Sequence, residues 1–390
     1  MSQASDVLIV GGGLVGLSLA RALAGSGLDL ALIEPQAPRK ATPDPASWDS
    51  RVYALSPGTT AFLEGCGVWQ HLPHGRVTRV EAMRIYGDDT RACLDFSAYD
   101  AGLRELAFIV EGRALLEALR EAVRGQDLRM HCPADWRALD FHDGHVAATL
   151  SDGAVLRARL VVGADGADSR VRAQAGIEAR PSDYAQLGVV ANFSCEKSHH
   201  GVAYQWFRRD GVLALLPLPG ERVSMVWSIS QERGQALVAL SAKALAAEVE
   251  SASHGALGAL KVITPAAAFP LRLQRVTHFT KPRVALAGDA AHNLHPLAGQ
   301  GLNLGFRDAH ALAEVLLGRG PQRDCGDYAL LRRYERARRE DVLAMQLATD
   351  GLQKLFNNEA VWLAGARNLG LTLLNGQPLL KNFLVHRAVA

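Results

Sequence analysis

Residues 6–34 read DVLIVGGGLVGLSLARALAGSGLDLALIE. The opening DVLIV is a short apolar run of the kind that forms a buried strand. Glycines at 11, 13 and 16 complete a G-x-G-x-x-G pattern, and the residues after them predict a helix ending near Gly25 or Gly27. LDLALIE is then a second strand, closing on Glu34. In such a strand–turn–helix unit Gly11 permits the tight turn, Gly13 lets a pyrophosphate approach the backbone, and Gly16 lets helix and strand pack closely. The helix N-terminus offers free N–H groups and the positive end of its dipole. Glu34 can accept hydrogen bonds from both ribose hydroxyls, which favours a free 2′-OH over a 2′-phosphate. The unit predicts bound FAD or NAD and disfavours NADP at this position; the plain alternative is a glycine-rich turn with no ligand.

Two later stretches carry related signals. LVVGADGADSRVRAQAG, residues 160–176, is an apolar strand followed by Gly163, Asp165, Gly166, Ser169 and Arg170, then a helix. Alone, Asp165 reads as a helix cap at a strand-to-turn junction. GDAAHNLHPLAGQGLNLG, residues 288–305, brings Asp289, His292 and His295 close together in the chain. An H-x-x-H pair on a loop lacks the i, i+4 spacing that puts two imidazoles on one helix face, so no metal is expected. The run reads as a strand end, a proline loop and a helix N-terminus.

In this order, GGGLVG with Glu34, GADGADSR and LAGDAAHNLHPLAGQGLNLG resemble the FAD-dependent aromatic-ring hydroxylases, the group A flavin monooxygenases. SRVYALSPGTTAFLEGCGVW (50–69), AFIVEGRALLEAL (107–119), AYQWF (203–207), GVLALLPLP (211–219), SMVWS (224–228) and AFPL (268–271) narrow the resemblance to the ubiquinone-biosynthesis hydroxylase branch. It runs over most of the chain, and the late motif is its most specific part. VEGR departs from the pattern, with Gly112 where an asparagine is expected before Arg113.

The resemblance implies an α/β chain: a Rossmann-like FAD-binding domain, an inserted mostly antiparallel β-sheet substrate domain, and a helical C-terminal tail. The FAD-binding domain takes 1–75, 100–180 and 275–345, the substrate domain 76–99 and 181–274, and the C-terminal helical region 346–390. Gly11, Gly13, Gly16 and Glu34 would hold the ADP half of FAD, with Asp165 near the pyrophosphate and Asp289 accepting from the ribityl hydroxyls. Arg51 and Arg113 are flavin-side arginines that contact phosphates or shield the ring; for Arg51 a surface ion pair is the alternative. Gly299, Gly301 and Asn303 belong to a loop and helix start whose N–H groups and dipole can stabilise negative charge on the reduced flavin. Pro296 rigidifies that loop. His295 would face the oxygen-reacting region as a proton donor or pocket-shaping group, or simply hydrogen-bond the backbone. Gln205, Phe207, Leu215, Pro217 and Trp227 are candidates for the substrate face, although alternation on a strand names a face and not a ligand.

No second G-x-G-x-x-G is present, so NADH or NADPH would bind transiently. The implied cycle reduces the flavin with NAD(P)H, adds O2 to give a flavin hydroperoxide, and transfers oxygen to an aromatic, in this branch polyprenylated, ring. Three rivals stay open: a catabolic hydroxylase of small phenolic acids, a non-oxygenating FAD reductase of prenyl or quinone substrates, and an FAD-bound scaffold. A net charge of +2, from 42 basic and 40 acidic residues, gives no general pull toward nucleic acid. RRYERARRE (332–340) is read as a solvated helix face or as a patch for anionic lipid or an acidic partner. Five scattered cysteines argue against a disulfide scaffold. Without a secretory signal or an apolar stretch long enough to span a bilayer, the expected location is cytoplasmic. Peripheral contact with the inner membrane, through the tail, and assembly with other quinone-biosynthesis enzymes are the further partner expectations.

Overall fold

A computed structural model describes residues 4–38, 47–87, 93–293 and 300–356. Its first sheet runs in the order 280–281, 284–286, 155–163, 4–10, 30–33, 128–131. Strands 284–286, 155–163, 4–10, 30–33 and 128–131 pair in parallel. Strand Ala4–Val10 is central, and Val7 to Val10 are buried on both faces, which is why that segment is continuously apolar and does not alternate. The helix Leu14–Ala22 covers it and stops before Gly25 and Gly27, whose φ angles of 70° and 72° are left-handed.

The parallel register has a direct consequence for the motifs. Val10 lies opposite Gly163 and Ile33, and Gly163 lies opposite Leu286. Gly11, Glu34, Asp165 and Gly288, each following one of these strand ends, therefore emerge along one carboxyl edge of the sheet, where open α/β sheets bind ligands.

The second sheet is mostly antiparallel, in the order 292–293, 267–276, 179–195, 222–230, 211–218, 202–208, 82–86, 93–97. Its faces are distinguished by the two-residue period of each strand. Leu213, Leu215, Met225 and Trp227 form one face and pack with Leu237, Leu245 and Val249 of the helices Gln231–Ala239 and Ala242–Ala252. A ladder of stacked rings, Tyr86, Trp206 and Tyr204, lies on the same face. Three of the five substrate-face candidates, Leu215, Pro217 and Trp227, therefore point into this helix-covered core and away from any ligand on the other side. Gln205 and Phe207 alternate to the opposite face.

A small third sheet joins 52–55, 107–111 and 77–80. Val77–Val80, within the range expected for the substrate domain, thus pairs with Ala107–Glu111 and not with the second sheet. The helix Tyr328–Phe356 crosses residue 346, and residues 357–390 of the expected tail lie outside the described residues.

Candidate flavin site

The three motifs meet through their glycines. Gly11 has φ of 110°, and a Cβ there would sit 2.3 Å from the Ala164 carbonyl oxygen. A Cβ on Gly16 would sit 1.9 Å from the Gly11 oxygen. These two glycines are needed by the fold itself. Gly13 differs: nothing lies within 4 Å of its Cβ position. It is the N-cap of helix Leu14–Ala22 and supplies no side-chain cap, so the first-turn N–H groups face an open side. Glu34 Oε2 accepts the Gly12 N–H at 2.7 Å and Oε1 accepts the Gln36 N–H at 2.8 Å. Each oxygen keeps a lone pair for a hydroxyl donor.

The two oxygens of Asp165 differ in what they bind. Oδ2 accepts the N–H groups of Arg170 and Val171 at 2.8 and 3.1 Å and so caps the helix Arg170–Gln174. Oδ1 is buried and has no partner among the described residues. Asp289 follows Gly288, whose φ of 63° and contact with Val15 exclude a larger residue. The Asp289 side chain is solvent-accessible, yet protein surrounds it, so it lines a concavity. Burial there pushes its carboxyl above the usual carboxylate range, against the pull of His292 and Arg51.

Arg51 and Arg113 are brought together by a residue that no motif singled out. Asp49 Oδ1 accepts the Arg51 N–H at 3.0 Å and Oδ2 accepts the Arg113 N–H at 2.9 Å. The Asp49 N–H donates to Glu111 at 2.6 Å, and Asn192 of the second sheet donates to the Asp49 carbonyl at 2.8 Å. The Arg51 guanidinium lies over the Phe269 ring, 4.5 Å from its centroid. Gly112 acquires a packing reason here, since a Cβ would meet the Tyr53 ring at 3.0 Å and its N–H donates to the Arg51 carbonyl at 2.9 Å.

The Asn303 side chain ties the helix Gln300–Leu317 to residues 54–56. Its oxygen accepts the Ser56 N–H at 2.9 Å and its amide donates to the Ala54 carbonyl at 2.8 Å. It braces the strand Val52–Leu55 and the helix start after it. Gly301 has open space at its Cβ position, whereas His295, Pro296 and Gly299 lie outside the described residues. The basic stretch 332–340 is also only half solvated: Tyr334, Glu335 and Arg338 are buried while Arg333, Arg336 and Arg339 are exposed. Among the described residues no group of three or more His, Cys, Asp or Glu side chains could hold a metal ion.

The residues present fit FAD: an open Gly13 at a helix start, an unpartnered Asp165 oxygen, and an accessible carboxylate set in a concavity. Residues 4–348 match the family described as FAD binding domain. The chain is 38% identical to a ubiquinone hydroxylase of Rhodospirillum rubrum, over 99% of this chain and 90% of that protein. It is 36% identical to the 3-demethoxyubiquinol 3-hydroxylase of Escherichia coli, over 97% of each. A probable FAD-dependent monooxygenase of Pseudomonas aeruginosa shares the fold at a TM-score of 0.79, with 24% identity over 95% of this chain and 99% of that one. The chain therefore belongs to the FAD-binding family of flavoprotein monooxygenases. Within it, its relatives include a ubiquinone hydroxylase, a 3-demethoxyubiquinol 3-hydroxylase and a ubiquinone biosynthesis monooxygenase of Danio rerio.

Proposed function

We propose that this chain hydroxylates the aromatic ring of a polyprenylated intermediate of ubiquinone biosynthesis, using O2 and a transiently bound NADH or NADPH. Bound FAD would supply the activation of oxygen; the protein binds, orients and excludes water. The helix start at Gly13 would take the pyrophosphate, Glu34 the ribose, Asp165 Oδ1 a neighbouring donor, and Asp289 the ribityl hydroxyls. Arg51 and Arg113, held by Asp49, would lie on the flavin side.

The observation that carries the substrate reading is a half-buried apolar strip on the second sheet's face away from its helices. Ala214, Val226 and Phe269 are only half-buried there, beside buried Asn192, Ser224 and Ser228 and a Leu216 that packs with Val80 and Ile109 of the third sheet, while Leu213, Leu215, Met225 and Trp227 on the opposite face are fully buried. That strip would be turned toward the cofactor, a reading supported by Asn192 of the same face reaching Asp49 and Phe269 lying under Arg51. A half-buried apolar floor beside a nucleotide cradle suits a ring with an apolar tail.

No helix of the described residues is long and apolar enough to cross a membrane. Exposed Leu343 and Leu347 follow exposed Arg333, Arg336 and Arg339 on the helix Tyr328–Phe356, which supports peripheral contact with an anionic lipid surface. The decisive experiment deletes the gene and identifies the accumulated quinone intermediate by mass spectrometry. A normal quinone pool, with no second hydroxylase present, would sink the assignment.

A further inference from the structure

Behind the late motif lies a buried charge network that the cofactor assignment leaves unexplained. Asp308, His292 and Arg338 have relative exposures of 0%, 1% and 4%. Asp308 Oδ2 accepts the Gly288 N–H at 2.9 Å and faces His292 Nε2 at 2.6 Å, while Oδ1 accepts from Arg338 Nε at 2.8 Å. Burial alone would push the Asp308 carboxyl up; His292 and Arg338 together hold it below the usual range, so it is ionised and only accepts. The His292 proton on this side must therefore sit on Nε2, an assignment that follows from the partner.

We infer that Asp308 is a positioning residue for the cofactor, clamping both ends of the turn 288–292 that presents Asp289. One carboxylate oxygen binds the residue before Asp289 and the residue three after it. Between them the Ala291 N–H closes onto the Gly288 carbonyl at 2.8 Å, and Ala290 and Ala291 are fully buried. Asp289 is the one side chain of the turn that solvent reaches. Stability does not account for the network. Buried ion pairs roughly break even against apolar packing. This one also leaves His292 Nδ1 and Arg338 Nη2 buried without a partner among the described residues, which costs stability. What it secures is a rigid turn whose single accessible group is aimed outward.

The inference rests on Asp289 taking the ribityl hydroxyls, and the test separates the two. Purified apoprotein is titrated with FAD, following quenching of flavin fluorescence, and the apoprotein melting temperature is measured beside it. The variants are Asp308→Asn, His292→Ala and His292→Gln. The control is His199→Gln, which disturbs a buried histidine in the turn before the strand Val202–Arg208, whose Nε2 lies 2.8 Å from the Leu218 and Gly220 carbonyls. Asp308→Asn and His292→Ala should raise the FAD Kd tenfold or more. His292→Gln, which keeps an N–H for Asp308, should recover most of that loss. His199→Gln should lower the melting temperature and leave the Kd within twofold. Should Asp308→Asn not fold, the His292 pair decides alone. Unchanged Kd in His292→Ala and any folded Asp308→Asn, whatever their melting temperatures, overturns the clamp. A wild-type chain that binds no FAD overturns the flavin reading itself.

Discussion

Asp49 takes the backbone N–H of Arg113 at 2.9 Å on one carboxylate oxygen while the other oxygen takes that of Arg51 at 3.0 Å. The pairing fixes the start of the helix Gly112–Val123 against Arg51, which leads into the strand Val52–Leu55. In Asp49→Ala the backbone bonds to Glu111 and Asn192 can persist, but two N–H groups lose their acceptor. An unmet buried donor costs about 1–3 kcal/mol. The Arg51 N–H is close to solvent, so the expected destabilisation is about 1–3 kcal/mol in all, with weaker FAD binding. Denaturant unfolding and FAD titration check this; unchanged values in both would refute the role given to Asp49.

The three cradle glycines should separate by cause. Gly16→Ala places a carbon 1.9 Å from the Gly11 oxygen, so the chain should fail to fold or melt far lower. Gly13→Ala meets nothing within 4 Å and should fold normally, yet lose FAD, because the new methyl group occupies the pyrophosphate's approach. Circular dichroism and flavin retention on purification read the two. Full FAD retention in folded Gly13→Ala would show that the phosphates lie elsewhere.

Asp289 should trade stability for binding. Its carboxyl is raised in the folded chain, so ionisation is disfavoured there. The resulting destabilisation is absent below the ordinary carboxylate pKa. It grows as pH rises through that value and is fully present above the folded pKa. Asp289→Asn should therefore raise the apoprotein melting temperature at pH 7 and match wild type near pH 3. FAD should bind more weakly, since an acceptor for the hydroxyls is lost. A variant apoprotein less stable than wild type at pH 7 would contradict this account.

The two faces of the second sheet give opposite phenotypes. Leu215→Ala empties a site in the helix-covered core and should cost about 2–5 kcal/mol of stability with little change in KM. Ala214→Phe adds bulk on the half-buried strip of the other face. It should leave FAD binding intact and raise the KM for a prenylated ring tenfold or more. Steady-state kinetics with FAD-saturated enzyme distinguish them; equal KM values in Ala214→Phe and wild type would move the substrate off this face.

Some of the site missed by motif reading was nonetheless written in the chain. Asp308 stands four residues after Leu304 and four before Leu312, so a charge occupies the apolar stripe of a helix. That is a sequence signal for a buried ionic partner, although nothing in it names His292 or Arg338. Asp49, Glu111 and Asn192 carried no such signal, because each reaches a backbone group far along the chain, 64, 62 and 143 residues away respectively.

The sequence by itself determined the strand–glycine–helix–strand unit, the acid at Glu34 and the order of the three motifs. These depend on local turns, helix starts and apolar runs, which neighbouring residues dictate. Only the tertiary structure decided that Leu215, Pro217 and Trp227 face helices, that Asn303 braces residues 54–56, and that Asp308 grips the turn beneath Asp289. A strand's alternation leaves both faces available until another element covers one. A buried polar group is likewise committed to whichever partner packing brings within about 3 Å.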